Sequence, residues 1–505
     1  MFVRIKKHRS GNSSVVVVDK SSGRYRQIKS FGIIKSESHQ QSLIEQAQQW
    51  ILRYGGQQQL EFEDLRTPTQ SIDYVLSHIE NIHMDVTYQI LSRVYDEIGF
   101  NAIDDNILRN LAIARVCEPQ SKLATVSYLK SYFDEDISHY QIYRYMDKLY
   151  NTQREQVQKI SVEHTRKILG GNVGLLFYDV TTLYFEAAPK TDIRQSGFSK
   201  DGKTSEVQIV LGLLVSKDGY PLSYSIFNGS QYEGYTMIPV IDDFIQRFSL
   251  TDFVVVADSG LMSRKNIRLL REANYKYIIG ARIHNENEQT REWVLSLPKE
   301  EKVLHEYIKT DGDRLIVGYS KSRADKDAYN REKGIARLQK AYKGGILTKE
   351  NINKRGYNKF LTISKDVSVT IDEDKIAQDA QWDGLKGYIT NTDLSRDEVI
   401  EQYHGLWVVE RAFRISKGNL QMRPIFHFTE KRIEAHICIC FVAYKIYKEL
   451  ERQLPLFGIK LSVDKVLSIA KTIPTIKIKL PNGETRSQTM TFTDEQRLIL
   501  PLLMT

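Results

Sequence analysis

The apolar positions change their spacing several times along the chain, and each change predicts a different kind of element. At the start, Ser14–Val18 and Tyr25–Phe31 are β-rich runs separated by the turn residues of Asp19–Gly23, which predicts a hairpin in a small basic unit over residues 1–40. From about Ser42 to Leu169 the spacing becomes helical. Ile107, Leu108, Leu111, Ala112 and Ala114 share one face, and Leu123, Val126 and Leu129 resume the pattern after Pro119. A further helix is expected from Ile137, with Ser138 placed to cap it. Residues 41–170 therefore read as a helical region.

At Val173 the period drops to that of strands. Five apolar runs follow, VGLLFYDVTTLYFE, VQIVLGLLV, YPLSYSIFNG, FVVVADSGL and YKYIIGARI, with a helix, SRKNIRLLREANY, between the last two. Strands in succession, then alternation with a helix, predict a mixed α/β core with antiparallel strands leading in, its first part over 171–285. Residues 286–395 are more polar and read as an inserted domain. They contain a charged helix, SRADKDAYNREKGIARLQKAYK, and strand-like pieces at Phe360–Ile363 and Val367–Ile371. One amphipathic helix over Asp397–Lys417 and another around Glu430–Leu450 place a second part of the core at 396–450. A tail with a hairpin-like TIKIKLPNGETRSQTMTF occupies 451–505.

Composition narrows the class. Hydrophobic residues make up 41% and charged residues 27%, enough for buried cores and against global disorder. The net charge of +8 permits a nucleic-acid partner without demanding one. Three cysteines, Cys117, Cys438 and Cys440, are too few for a disulfide framework and favour a reducing compartment. The longest apolar runs, Val207–Val215 and Ile437–Tyr444, are shorter than the roughly 18–20 residues of a spanning helix. No membrane association and a cytoplasmic location are the expectation.

Three carboxylates stand in apolar surroundings. Asp179 follows LLFY on an expected core strand, Asp258 ends the run FVVVA, and Glu410 lies among Leu406, Trp407, Val409 and Phe413 on a helix. Taken singly, Asp258 reads as a turn or cap residue and Glu410 as a partner for Arg414 one turn on. Taken together they would supply hard oxygen ligands to divalent ions. His436, Cys438 and Cys440 do not suggest zinc, because the two cysteines point to different helix faces. Asn228, Gly229, Glu233 and Thr236 read as a loop closing a strand as readily as a site. Tyr140, Tyr143, Arg144 and Tyr145, and the cations Arg331, Lys333, Arg337, Lys340 and Lys343, are candidate DNA-facing sets whose plain reading is core and solvated helix face.

The chain resembles bacterial insertion-sequence transposases of the DDE type, in the insertion-sequence-four-like branch with a tyrosine–arginine–glutamate–lysine signature. The resemblance rests on AIARVCEPQSKLATVSYL (112–129), FYDVTTLYFE (177–186) and GFSKDGKTSEVQIVLGLLVSKDGYPLSYSIFNGSQYEGYT (197–236). It continues through VVADSGLMS (255–263), WDGLKGYITNT (382–392) and YHGLWVVERAFRISKGNLQMRPIFH (403–427). It implies a ribonuclease H-like mixed-sheet core with an inserted domain and a mainly helical N-terminal DNA-binding region. It further implies a triad of Asp179, Asp258 and Glu410 holding two Mg²⁺ ions, or Mn²⁺, for strand cleavage and strand transfer. Tyr403, Glu410 and Lys417 match the signature, whereas its arginine position is Leu406, for which Arg411 or Arg414 is the expected substitute. Tyr403, Arg411, Arg414 and Lys417 are accordingly the expected DNA contacts. The implied partners are double-stranded DNA, namely terminal inverted repeats and target, bound by a homodimer. The alternatives are a nuclease that does not join strands and a transposase-derived DNA-binding protein.

Overall fold

The structure is a computed structural model that describes residues 1–8, 11–20, 23–54, 76–186, 189–197, 206–261, 263–344, 352–353, 356–363, 369–480 and 483–503. The chain divides into two compact units. One comprises Met1–Ile160, Asn419–Gln421 and Lys431–Thr505, and the other Ser161–Gly418 and Met422–Glu430.

The first unit begins with three antiparallel strands, β1 (Phe2–Lys7), β2 (Ser13–Asp19) and β3 (Arg26–Ile33). The expected hairpin is β2–β3. Val15 and Val17 of the central strand pack on Leu43 and Ala47 of α1 (Glu37–Tyr54), because alternate strand residues share a face. Next come β4 (Ile79–His83) and the helices α2 (Val86–Ile98), α3 (Asn106–Cys117), α4 (Lys122–Phe133), α5 (His139–Lys148) and α6 (Arg154–Ile168). Their starts are set by local chemistry. Asp105 and Ser121 accept hydrogen bonds from the first backbone N–H groups of α3 and α4, and Ser138 forms a reciprocal capping box with Gln141 at α5. On α4 the buried positions are Lys122, Thr125, Leu129 and Phe133, while Leu123 is 61% exposed, so the inward face is offset from the one its leucines suggested.

The second unit is built on a nine-stranded mixed sheet. Its elements are β5 (Gly174–Tyr184), β6 (Gln195–Ser196), β7 (Val207–Val215), β8 (Pro221–Asn228), α7 (Met237–Phe248), β9 (Phe253–Ala257), α8 (Arg264–Glu272), β10 (Lys276–Ala281), α9 (Glu288–Ser296), β11 (Leu304–Ile308) and β12 (Arg314–Tyr319). Then follow α10 (Lys321–Lys343), β13 (Leu361–Ile363), β14 (Val369–Ile371), α11 (Glu373–Ala380), β15 (Leu385–Thr390), α12 (Arg396–His404) and α13 (Trp407–Lys417). The sheet runs β11-β12-β15-β10-β9-β5-β7-β6, with β8 also paired to β7. β5, β7 and β8 form the antiparallel lead-in, and β9 and β10 add in parallel through the crossover helices α7 and α8.

The segment 286–395, read as an insertion, here supplies β11, β12 and β15 to this same sheet. Leu315, Val317, Leu385 and Ile389 from those strands belong to one core with Leu176, Val255 and Ile279. The portion between β12 and β15 has a small core of its own, around Leu338, Phe360, Leu361 and Val369. Arg331 of α10 ties that portion down through a bidentate pair with Asp383, at 2.6 and 2.5 Å. This cation from the candidate DNA-facing set is thus committed inside the protein.

The chain then returns to the first unit with α14 (Glu430–Leu456), α15 (Val463–Ala470), β16 (Thr475–Lys479) and β17 (Thr485–Thr489). From Ala435 to Leu450 α14 is buried on all sides, taking Lys445, Lys448 and Glu449 into the interior with its apolar residues. His436 and Cys440 lie 3.8 Å apart one turn along it, and the three cysteines are buried and form no disulfide. β16 pairs with β17 as expected and also with β4, so the segment read as a tail completes a three-stranded sheet begun near residue 80. Among the described residues no helix is long and apolar enough to cross a membrane.

Candidate functional site

Asp179 and Asp258 are brought together by strand register. β5 and β9 are parallel, and their last paired residues are Tyr178 and Ala257, so the next residue on each strand is the aspartate. Tyr178 faces the core, where its hydroxyl donates to Thr236 Oγ1 at 2.8 Å, and alternation turns Asp179 to the opposite face. Asp179 Oδ1 accepts from Val180 N at 2.7 Å, and Asp258 Oδ1 accepts from Ser259 N at 2.6 Å. Each carboxylate is thereby oriented by its own backbone.

Glu410 reaches this face from a helix. The single helix expected over Asp397–Lys417 is two, α12 and α13, separated at Gly405 and Leu406. A Cβ on Gly405 would lie 2.5 Å from Phe177 Cζ, so only glycine lets the connection pass so close to β5. α13 buries Val408, Val409, Ala412 and Phe413, while Glu410 and Trp407 face outward. Trp407, expected on the apolar face, is 55% exposed. Asp258 and Glu410 are exposed and Asp179 is partly so. The three acids therefore front on solvent, and the cost of an isolated buried charge, which made them conspicuous in the sequence, does not arise at Asp258 or Glu410.

Tyr403 of α12 is a positioning residue. Its hydroxyl donates to Asp258 Oδ1 at 3.3 Å, its ring meets Tyr388 edge-on at 4.8 Å, and Lys386 Nζ lies 4.5 Å from the ring centre. It is 6% exposed, so the ring expected to contact DNA is covered by protein instead. Burial, followed by the Asp258 charge, raises its pKa and keeps the phenol protonated as a donor. Gly280 makes room for this contact, since a Cβ there would stand 2.5 Å from the Tyr403 hydroxyl. Leu406 is 8% exposed, so the position where the signature has arginine looks into the protein and not toward Glu410's solvent face. Arg414 is exposed, and Arg411 lies 6.0 Å over the Trp407 ring. Lys417 is partly exposed at the end of the same helix.

Two residues absent from the sequence reading belong to the site. Arg282 donates to the carbonyls of Ser259 and Gly260, at 2.8 and 2.9 Å, and holds the turn that follows Asp258. Lys386 of β15 is the other. Burial, then Arg323, lowers its pKa, while Asp258 and Glu410 both oppose that shift, which places its ammonium in the field of both acids. Neither carries a local motif; a cation becomes conspicuous only once strand order sets it beside the acids.

The loop residues Asn228, Gly229, Glu233 and Thr236 have structural duties. Gln208 Nε2 donates to Gly229 O at 2.9 Å, Asn228 Oδ1 accepts from Ser230 N, and Thr236 Oγ1 donates to Glu233 O at 2.7 Å. Tyr145 is buried with its hydroxyl on Gln153, whereas Tyr140 is 72% exposed. Residues 198–205 and 262, part of two quoted motifs, lie outside the described residues, as do 367–368 of one expected strand.

Among the described residues no three acidic, histidine or cysteine side chains converge tightly enough to form a metal cage. Mg²⁺ does not require one, because it retains several waters and is commonly held by one or two carboxylates. Asp179 and Asp258, adjacent and solvent-fronting, suit that mode.

No curated relative matches the chain. A cryo-EM structure of the piggyBac transposase synaptic complex with hairpin DNA is similar at 9% identity, covering 81% of this chain and 80% of that one, with a TM-score of 0.40. The model of the transposase DDE domain matches residues 174–446, just over half of the chain, from the first residue of β5 into α14. The matched stretch contains all three acids, and the chain belongs to the family of transposases with a DDE domain.

Proposed function

We propose that this transposase cleaves DNA strands at the ends of an insertion sequence and joins them to target DNA, using Asp179, Asp258 and Glu410 as its catalytic acids. The observation that supports the reading best is the register that sets Asp179 beside Asp258, with the Glu410 helix packed on the same strand, β5. The strand order β8-β7-β5-β9-β10, an antiparallel meander feeding two parallel strands, supports a ribonuclease H-like core. The three carboxylates would hold two Mg²⁺ or Mn²⁺ ions, which supply electrostatic stabilisation of the phosphoryl oxygens and a more acidic bound water.

The protein's own residues then have defined tasks. Tyr403 and Arg282 fix Asp258 and its turn, so that the carboxylate needs little rearrangement when DNA arrives. Arg411, Arg414 and Lys417 on α13 would hold backbone phosphate beside the acids. In the cleavage step a water oxygen attacks the scissile phosphorus and the bond to the 3′ oxygen breaks, leaving a 3′ hydroxyl and a 5′ phosphate. That hydroxyl then attacks a target phosphodiester in the same in-line manner, so that a new bond to phosphorus forms as the target's bond to its own 3′ oxygen breaks, and that oxygen leaves as a 3′ hydroxyl with the proton given up by the attacking one. DNA ends and target would be bound by a homodimer, with the helical part of the N-terminal region reading the ends.

The test is cleavage of the DNA flanking the gene. Asp179→Asn keeps the side chain's shape and removes its charge, so strand cleavage is expected to fall to background while DNA binding persists. Full cleavage by that variant, or by the parent in excess chelator, would overturn the assignment.

A further inference from the structure

A cavity of about 660 Å³ opens on the Lys386 face of the sheet, within the size range of nucleotide-scale ligand sites. Lys302, Arg323, Lys386, Tyr388, Asp397 and His404 are among its lining residues. Two glycines, Gly318 and Gly384, are also in its lining. Gly318 lies directly across from Lys386 in the β12–β15 ladder, and a Cβ there would stand 2.9 Å from Leu304 Cδ2. Gly384, at φ +79°, lets the start of α10 come onto β15, since a Cβ would lie 2.5 Å from Tyr319 Cε2 and 2.7 Å from Ser320 O.

The charge in the cavity is lopsided. Three cations, Lys302, Arg323 and Lys386, face one lining carboxylate, Asp397. Arg323 has an acidic neighbour in Asp327, but at 3.7 Å and with both side chains substantially exposed. Its charge still acts on Lys386, Tyr388 and Tyr403. The first turn of α10 carries no acid to offset its N-terminal dipole. Lys386 joins this cavity to the acids, because its ammonium lies over the same Tyr403 ring whose hydroxyl bonds Asp258.

We propose that the cavity is a subsite for a DNA backbone phosphate and its nucleoside, displaced from the scissile phosphate, with Arg323, Lys386 and Lys302 as its cations. The inference rests on the reading of Asp179, Asp258 and Glu410 as a DNA-cleaving site. It also bears on Leu406: positive charge absent from that position enters from β15 and α10 as well as from the cations of α13.

The probe is the dinucleotide pTpT, titrated calorimetrically into the full chain carrying Asp179→Asn with chelator present, so that neither cleavage nor metal contributes. Arg323→Ala and Lys386→Met are each expected to weaken binding about tenfold or more, the loss of a charge-assisted contact. Methionine keeps the apolar stem on the Tyr403 ring, and Arg323 is exposed, so both variants are expected to melt with the parent. Arg323→Lys should restore part of the affinity. A dinucleotide with a neutral methylphosphonate linkage and no terminal phosphate should bind more weakly in the parent and lose little in the variants. Equal pTpT affinity in parent and variants, or inorganic phosphate binding as tightly as pTpT, would overturn the subsite. Neither result touches the cleavage assay of Asp179→Asn, so the two readings fail separately.

Discussion

Lys122 in the first unit and Lys386 in the second are in nearly the same electrostatic situation, with opposite consequences. Burial is the main cause lowering the pKa of each, and a neighbouring arginine, Arg115 or Arg323, is the next. Lys122 is 4% exposed at the first turn of α4, where the helix dipole also disfavours a cation. Cys440 opposes the shift, and the Lys122 pKa falls to about 7. Lys386 is less buried, opens on a cavity, and is supported by two carboxylates. An unfavourable charge that opens toward a place where an anion can bind has a use. One sealed in a helical unit is a burden on stability.

The sharpest way to break this comparison is to exchange the two effects by mutation. Lys386→Met is expected to reduce cleavage about tenfold or more with the melting temperature unmoved. Lys122→Met removes a buried charge without opening a cavity and is expected to raise the melting temperature with cleavage unmoved. If Lys386→Met changed only stability, or Lys122→Met abolished cleavage, the assignment of roles would be reversed.

A smaller effect is carried by pH. Native Lys122 releases its proton near pH 7, whereas the unfolded lysine holds it to about 10.4. Between those values the unfolded chain binds more protons, so this residue makes stability rise with pH from about 7 upward. Denaturant titrations at several pH values should show that rise in the parent and its loss in Lys122→Met. A rise of equal size in both would locate it elsewhere.

The smallest effect separates two arginines of α13. Arg414 is exposed beside Glu410, and Arg411 lies over Trp407. Arg414→Ala should weaken DNA binding and reduce its salt dependence by about one phosphate contact, and Arg411→Ala should do less. Equal salt slopes for both variants and the parent would remove α13 from the phosphate contacts.

Much of this molecule was legible before any fold was known. The capping box at Ser138, the β2–β3 hairpin and the meander leading into β-α alternation follow from local chemistry and periodicity, which the sequence carries directly. Asp179, Asp258 and Glu410 stand out because each interrupts an apolar pattern, and it is the resemblance to DDE transposases that joins them into an expected triad.

What tertiary structure decided is where the patterns meet. Sequence alone carried no sign that 286–395 would extend the main sheet, since β12 and β15 pair through residues about 70 apart and alternate strand faces fit any apolar layer. The close passage of the chain at Gly405 is against Phe177, more than 200 residues away, and the covering of Tyr403 depends on Tyr388 and Lys386 from another strand. Arg282 and Lys386 carry no motif, because a cation gains a role from the field around it. The sequence thus determined the acids, the caps and the kinds of element. Register, burial and shared electrostatic fields, which arise only between distant segments, determined which side chains stand beside those acids.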